Sequence, residues 1–161
     1  NPFASYKLER QEVSPDFLNE DELRRIINFN SPLPRLERTR DMFLFACYTG
    51  LSYIDVKTLK VEHLERDNQG RMWIKKKRVK TGVLARIPLL PNAKMLIDKY
   101  AGGDTLMPIY SDKDINLYLK DIAILCHIDK RITYHLARHY DLPLCLDMNS
   151  LQNFVSWQVT I

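Results

Sequence analysis

The sequence lacks the features that mark exported, membrane-spanning and disulfide-stabilised proteins. No apolar run approaches the ~20 residues that a transmembrane helix needs. The opening NPFASYKLERQEVSP has no charged-then-apolar signal pattern. The three cysteines, Cys47, Cys126 and Cys145, are odd in number and far apart. They indicate reduced thiols better than a disulfide framework or a metal site, so we expect a cytoplasmic protein.

Positive charge is modest in total but concentrated in one stretch. The formal net charge is +4, and 45% of the residues are hydrophobic, as in a soluble globular chain. Residues 71–86, RMWIKKKRVKTGVLAR, hold seven of the 24 lysines and arginines and no acidic residue. A local basic block of this kind indicates a polyanionic partner better than the total charge does.

Helical periodicity accounts for most of the chain. Asn19 and Glu22 form a capping pair, and an apolar helix is expected over 36–48, ended by Thr49-Gly50. Ser52 is expected to cap a third helix. Three more helices are expected to begin near Pro91, Ser111 and Tyr134.

The segments RMWIKKK and VKTGVLARIPL interrupt this periodicity. They predict two strands joined by a Thr-Gly turn, with an earlier turn at Asn68-Gln69-Gly70. The sequence therefore predicts a mainly α fold with a small antiparallel β hairpin or sheet.

The predicted hairpin carries a dense group of cations. Lysine protects exposed strand edges from aggregation, so a solvated edge is one interpretation. The other is phosphate contact along a DNA backbone, with Trp73 as the packing anchor. The candidate DNA-binding residues are Lys75, Lys76, Lys77, Arg78 and Arg86, with Lys80 on the same ribbon.

The stretch TYHLARH sets His135, Arg138 and His139 within five positions. On a helix, such spacing would place all three on one face. Arginine offers a planar fork of donors that suits phosphate, and histidine exchanges protons near neutral pH. A zinc site is a weaker alternative because no third ligand lies close in sequence, and a solvated helix end is another.

The stretch CYTGLSYIDVKTLK, taken alone, is an ordinary helix break before an amphipathic helix. Asp55 is a plausible first-turn acid near the positive helix terminus. The order of the three stretches is more specific than any one of them. A T-G-L-S-Y-I-D segment is followed by a basic hairpin with Lys-Thr-Gly, and then by H-x-x-R-H.

This order resembles the tyrosine recombinase (phage integrase) family, in particular the integrases of conjugative and mobilisable transposons. The resemblance covers roughly residues 1–140. It implies the catalytic-domain fold of DNA breaking-rejoining enzymes. It also implies site-specific recombination through a 3′-phosphotyrosyl bond, without a metal or other cofactor.

The resemblance implies roles for individual residues. Lys80 matches the hairpin lysine, a general acid near the leaving oxygen. In the H-x-x-R box, Arg138 would clamp the scissile phosphate and His135 would assist proton transfer. Ser52 stands where most members carry the first catalytic arginine, so another cation must compensate or the chain is crippled. A non-catalytic nucleic-acid-binding helical domain remains the alternative.

The tail departs from the family pattern. It has no L-x-G-H box and no tyrosine after Tyr140. Codons that fit residues 156–161, read in another frame, also encode Lys-Leu-Ala-Gly-His-Asn, which contains an L-x-G-H box. We therefore expect residues 140–161 to be an atypical tail, translated out of frame, after an incomplete catalytic domain over 1–139.

The resemblance has consequences for partners and activity. The chain does not begin with Met and reads as the interior of a longer protein, without the family's N-terminal DNA-clamping domain. The expected partner is double-stranded DNA, on which family members assemble as tetramers, and no membrane is expected. Without the nucleophile we expect the chain to be inactive.

Overall fold

The computed structural model describes residues 17–139. Its helices are α1 (Glu20–Ile27), α2 (Pro34–Thr49), α3 (Tyr53–Lys57), α4 (Pro91–Lys99) and α5 (Asp112–Leu125). Its strands are β1 (Leu64–Arg66), β2 (Met72–Lys77) and β3 (Leu84–Pro88). Two short 3-10 helices span Val61–His63 and Tyr134–His139. The predicted mainly helical fold with a small antiparallel sheet is confirmed.

Helix α2 is the centre of the packing. It starts with Pro34, whose fixed φ suits a first helical turn, and ends at Gly50 with φ of 65°. Met42, Phe43 and Phe45 are each 0% exposed. Every residue of α2 from Thr39 to Thr49 is buried, and the helix contacts α1, α4, α5 and the 3-10 helix Tyr134–His139.

The sheet is antiparallel in the order β1-β2-β3. Its register pairs Trp73 with Pro88 and Lys77 with Leu84. Side chains alternate between the two faces of a strand, so Ile74 and Lys76 share the inner face of β2. Ile74 is 0% exposed and joins the hydrophobic core. The sheet thus rests on the helices with its outer face open.

Two elements differ from the sequence-based expectations. Strand β1 was not predicted, because only Leu64 of its three residues is apolar and no alternation can be seen. The segment after Thr133 was expected to be an α-helix and is a 3-10 helix. Its first amide is held by a side chain, since Tyr134 N donates to Asn116 Oδ1 at 2.9 Å. This anchor ties it to α5.

Three expectations for the C-terminal end of the chain fall outside residues 17–139. These are the frame change after residue 140, the position of Tyr140 and the setting of Cys145. In residues 17–139, none of the helices has the length and apolarity that crossing a bilayer demands.

Candidate catalytic site

The T-G-L-S segment builds one corner of the site. Gly50 ends α2 in the left-handed conformation, Leu51 is 0% exposed, and Ser52 then caps α3. The Ser52 hydroxyl accepts from Asp55 N at 3.4 Å and donates to Asp55 Oδ2 at 2.8 Å. The predicted capping role of Ser52 is confirmed, and its side chain is already engaged with Asp55.

Asp55 joins this corner to the β2–β3 hairpin. Its Oδ1 accepts from Val79 N at 2.9 Å, and Arg78 Nη1 lies 4.0 Å from its Oδ2. Asp55 is only 2% exposed, so these bonds form away from bulk water. The sequence alone indicates only a first-turn acid at Asp55. The spacing of three positions between Ser52 and Asp55 is the signal in the sequence for their contact, because it places both residues at the start of one helix.

The turn that carries Lys80 has a defined backbone. Arg78 N donates to Val83 O at 2.9 Å, and Gly82 N donates to Arg78 O at 2.8 Å. Gly82 has φ of 68°, a conformation that favours glycine. Lys80 lies at the exposed apex, next to the Val79 amide that Asp55 holds. The predicted Thr-Gly turn is therefore confirmed, and its position relative to α3 is set by Asp55.

The 3-10 helix Tyr134–His139 also contacts α3. The Tyr134 ring meets the Tyr53 ring edge-on, with centroids 5.9 Å apart and planes at 87°. His135 and Arg138 are exposed. A 3-10 helix has three residues per turn, so residues three apart are aligned, and the shared face predicted for His135 and Arg138 is retained. The side chain of His139 lies outside the described part.

Tyr134 is the tyrosine directly before the H-x-x-R box. It is 2% exposed, and its hydroxyl has no hydrogen-bond partner within residues 17–139. Burial raises the pKa of this hydroxyl above its ordinary value. A buried, protonated phenol is a poor nucleophile, so Tyr134 serves the packing between α3 and the 3-10 helix.

These contacts bring three separated stretches onto adjoining elements. The hairpin turn contacts α3 through Asp55, and α3 contacts the H-x-x-R helix through Tyr53 and Tyr134. Helix α3 is therefore the bridge between the turn of Lys80 and the helix of His135 and Arg138.

The outer face of the sheet carries a second set of cations. Lys75 lies 3.3 Å from Glu65, and the Arg86 guanidinium stacks over Trp73 at 4.5 Å from the ring centroid. Trp73 Nε1 donates to Asp67 Oδ2 at 3.0 Å. This bond, with further ones from the Arg71 side chain and nearby amides, lowers the pKa of Asp67. Trp73 thus gathers Asp67, Arg71 and Arg86 on the outer face, and it is not among the described residues that pack against the hydrophobic core.

Lys76 does not match the expectation of a uniformly exposed basic ribbon. Only 7% of Lys76 is exposed, whereas Lys75 and Lys77 are exposed. Strand alternation explains the difference, because Lys76 shares the inner face with Ile74. A phosphate arriving at the outer face would therefore meet Lys75 and Lys77 and not Lys76.

Among the side chains that the structure describes, which do not include that of His139, no three of His, Cys, Asp or Glu are grouped as a metal site requires. The zinc alternative for His135 and His139 therefore stays untested.

The profile of the phage integrase family matches residues 16–142. This match covers most of the chain, including all three motifs. The chain belongs to the phage integrase family. A search of curated protein sequences found no match.

Solved recombinase structures share the fold of this phage integrase family member. A pre-cleavage complex of the XerH site-specific recombinase with difH substrate superposes with a TM-score of 0.58 at 16% identity, over 78% of this chain and 41% of that one. A post-cleavage complex of XerH with palindromic difH substrate superposes with a TM-score of 0.59 at 16% identity, over 78% of this chain and 40% of that one. XerA recombinase superposes with a TM-score of 0.56 at 18% identity, over 84% of this chain and 54% of that one. The present chain thus spans about half or less of each matched protein.

Proposed function

We propose that this chain carries the phosphate-binding part of a tyrosine recombinase active site, used in site-specific DNA recombination. The observation that carries the proposal is the contact of Asp55 with the hairpin amide of Val79. It holds the turn of Lys80 against α3, the helix that Tyr53 packs onto the H-x-x-R segment. Family membership and the shared fold with recombinases support the same reaction class.

The proposed chemistry is transfer of a phosphodiester to a tyrosine. The tyrosine oxygen forms a bond to phosphorus while the bond from phosphorus to the 5′ oxygen breaks, and the 3′ end stays on the protein. Lys80 gives a proton to the departing oxygen, and His135 assists removal of the tyrosine proton. Arg138 holds the non-bridging oxygens, whose negative charge grows in the transition state. The reverse step rejoins the strands.

Arg78 is our candidate for the charge that Ser52 does not supply. Its Nη1 lies 4.0 Å from Asp55 Oδ2, the same oxygen to which Ser52 donates at 2.8 Å. The guanidinium is therefore beside the position that carries arginine in most family members. Arg78 reaches this position from the hairpin, and its charge is the one that we propose completes the cationic set with Lys80 and Arg138.

The finer assignment is integration of a mobile element by an integrase of the conjugative or mobilisable transposon type. The small residue Ser52 at the first arginine position supports it, because some integrases of that type resemble this chain there. Double-stranded DNA in the cytoplasm is the proposed partner, bound by a tetramer as in the family. Arg86 and the outer-face lysines, with His139, are proposed DNA contacts.

A non-catalytic nucleic-acid-binding domain is the second candidate. Ser52 brings no charge, and the outer face with Lys75, Lys77 and Arg86 is basic in its own right. Such a module would need the outer face but not a Lys80 that acts together with Arg138. Common binding of one anion by these two residues distinguishes the two functions.

The distinguishing experiment is an NMR titration of the chain with inorganic phosphate. Under the proposal, the resonances of Lys80, His135 and Arg138 shift with one dissociation constant, and Arg138→Ala abolishes the shifts of Lys80 and His135. Lys120→Ala, which removes an exposed lysine from α5, leaves them unchanged. Separate constants for Lys80 and Arg138 would favour the binding module.

Strand cleavage provides a second test. The sequence has no tyrosine after Tyr140, and in-line placement of a nucleophile is worth ~7–11 kcal/mol. We therefore expect no covalent adduct between the 161-residue chain and a suicide DNA substrate. A chain with an in-frame tail bearing L-x-G-H and tyrosine, joined to a DNA-clamping domain, should form one. An adduct on Tyr140 would require a different active site.

A further inference from the structure

Three exposed apolar residues flank Lys80 along the chain at the end of the hairpin. Val79 is 51% exposed, Val83 is 61% exposed, and Leu84 is 53% exposed. Val79 directly precedes Lys80, while Val83 and Leu84 follow the turn. We call these three residues the apolar collar. Its members are exposed to solvent, although exposed turn residues are usually polar.

The collar is held in place and is not a by-product of a loose loop. Asp55 holds the amide of Val79, and the carbonyl of Val83 accepts from Arg78 N at 2.9 Å. Leu84 pairs with Lys77 at the start of β3. These are backbone constraints, so they fix where the collar side chains project whatever those side chains are.

The charges around the collar define its partner. Within residues 17–139, neither Lys77 nor Lys80 has an ion pair or a side-chain hydrogen bond, and both are exposed. A surface that alternates unpaired cations with apolar side chains is complementary to a DNA strand. Phosphates meet the cations, while deoxyribose edges and thymine methyl groups are apolar. A wholly apolar protein surface would leave both ammonium groups without partners.

We propose that the apolar collar packs on the nucleosides next to the phosphate that Lys80 contacts, and so supplies a salt-independent part of DNA affinity. The inference rests on the proposed function and adds residues to it. Burying the collar also removes water from around the Lys80 ammonium. Its attraction to the scissile phosphate is stronger in that drier setting.

The test compares collar variants with lysine variants in binding a fluorescein-labelled DNA duplex across a salt series. Val79→Ser and Val83→Ser should each weaken binding by about three- to tenfold, as expected for losing a buried apolar group. The slope of log affinity against log salt should not change, because no counterion is released at an apolar group. Lys77→Ala should lower that slope by about one.

Two controls make the comparison specific. Ile124→Ser removes an apolar side chain of similar exposure, 64%, from α5, and should bind DNA like the parent. Heparin offers anionic charge without nucleosides, so collar variants should bind it as the parent does, whereas Lys77→Ala should bind it less well. Equal thermal unfolding midpoints for the collar variants and the parent exclude misfolding.

The outcomes separate this inference from the proposed function. Collar variants that bind DNA like the parent, while Lys77→Ala is weakened, overturn the collar and leave the proposed function standing. Collar variants that lose heparin and DNA equally also overturn it, since the effect would then be electrostatic. A parent chain that binds no DNA at low salt overturns both.

Discussion

Helix α2 and the β2–β3 hairpin use charged side chains in opposite ways. In α2, Asp41 is 0% exposed, and its carboxylate accepts from Arg40, Lys99 and Tyr100 at 2.5–2.9 Å. At the hairpin, Lys77 is exposed and forms no ion pair within residues 17–139. Charges of the first kind are already neutralised by protein and stabilise the fold. Charges of the second kind remain available to a polyanion.

The comparison predicts that stability and DNA affinity can be changed separately. Substitutions in and around α2 should lower the free energy of unfolding and leave the salt dependence of binding unchanged. Substitutions at the hairpin should change the salt dependence of binding and leave the free energy of unfolding nearly unchanged. Asp55 links the buried interior to the hairpin, because it is buried within α3 and also holds the turn.

The largest expected effect is that of Phe43→Ala. Phe43 is 0% exposed at the centre of α2, so truncation should cost about 3–5 kcal/mol of unfolding free energy. Urea denaturation measures it. Ile124→Ala, on the exposed side of α5, should change stability by less than about 0.5 kcal/mol. If Phe43→Ala lost no more unfolding free energy than Ile124→Ala, α2 would not be the centre of the core.

The next effect concerns the hydrogen bond from Tyr100 to Asp41, 2.5 Å long. Tyr100→Phe removes a donor to a buried carboxylate and should cost about 1.5–3 kcal/mol. Denaturation at neutral pH measures it. Tyr118→Phe is the matched control, since the Tyr118 hydroxyl makes no hydrogen bond within residues 17–139. Equal stability of the two variants would show that the Asp41 network contributes little.

The same network predicts alkaline instability. Burial, and then the hydrogen bond to Asp41, raises the pKa of Tyr100. Burial alone would lower the pKa of Lys99, but its bonds to Asp41 and Glu37 raise it overall. Both groups keep their protons longer in the folded state, so their contribution is full below pH about 10 and is lost at higher pH. Tyr100→Phe should reduce the steepness of the loss in denaturation at pH 10–11.

A fourth prediction tests Asp55, which links the buried interior to the hairpin. Asp55→Ala should expose the Val79 amide, whose protection against hydrogen exchange falls by about tenfold or more, as expected for losing a buried acceptor. Ser52→Ala removes the cap of α3 but leaves the bond from Val79 to Asp55. It should therefore keep that protection while costing about 1 kcal/mol of stability. Equal protection in both variants would show that the turn does not depend on Asp55.

The smallest effect on stability is expected at the outer lysines. Lys75→Ala with Lys77→Ala should lower the slope of log DNA affinity against log salt by about two, one for each lost phosphate contact. Stability should change by less than about 0.5 kcal/mol. Lys76→Met, on the inner face, is the matched control and should keep the slope. If Lys76→Met changed the slope more than the outer pair did, the inner face of the sheet and not the outer face would contact DNA.

Local signals accounted for the elements with strong caps and turns. Asn19 and Glu22 form the predicted capping box of α1, and Gly50 ends α2 as expected. These features depend on interactions within a few residues, which the sequence contains in full. Strand β1 escaped notice because three residues with one apolar member carry no periodicity, and the strand forms by pairing with β2.

The candidate site was predictable in its residue types and not in its connections. The motifs around Ser52, Lys80 and Arg138 could be found in the sequence as three stretches. The bond from the Val79 amide to Asp55 could not, because it joins residues 24 positions apart. The burial of Lys76 was also missed, since the exposure of a strand residue depends on which face rests on the helices.

The sequence by itself determined the helices, the basic hairpin, the order of the motifs and the family, because each depends on local propensity or on residue identity. Only the tertiary structure decided which cations face outward, which are neutralised, and how the turn of Lys80 is held against α3. These properties depend on long-range contacts such as that of Asp55 with the hairpin. A buried carboxylate must find its donors wherever the fold brings them, and spacing along the chain does not show where that will be.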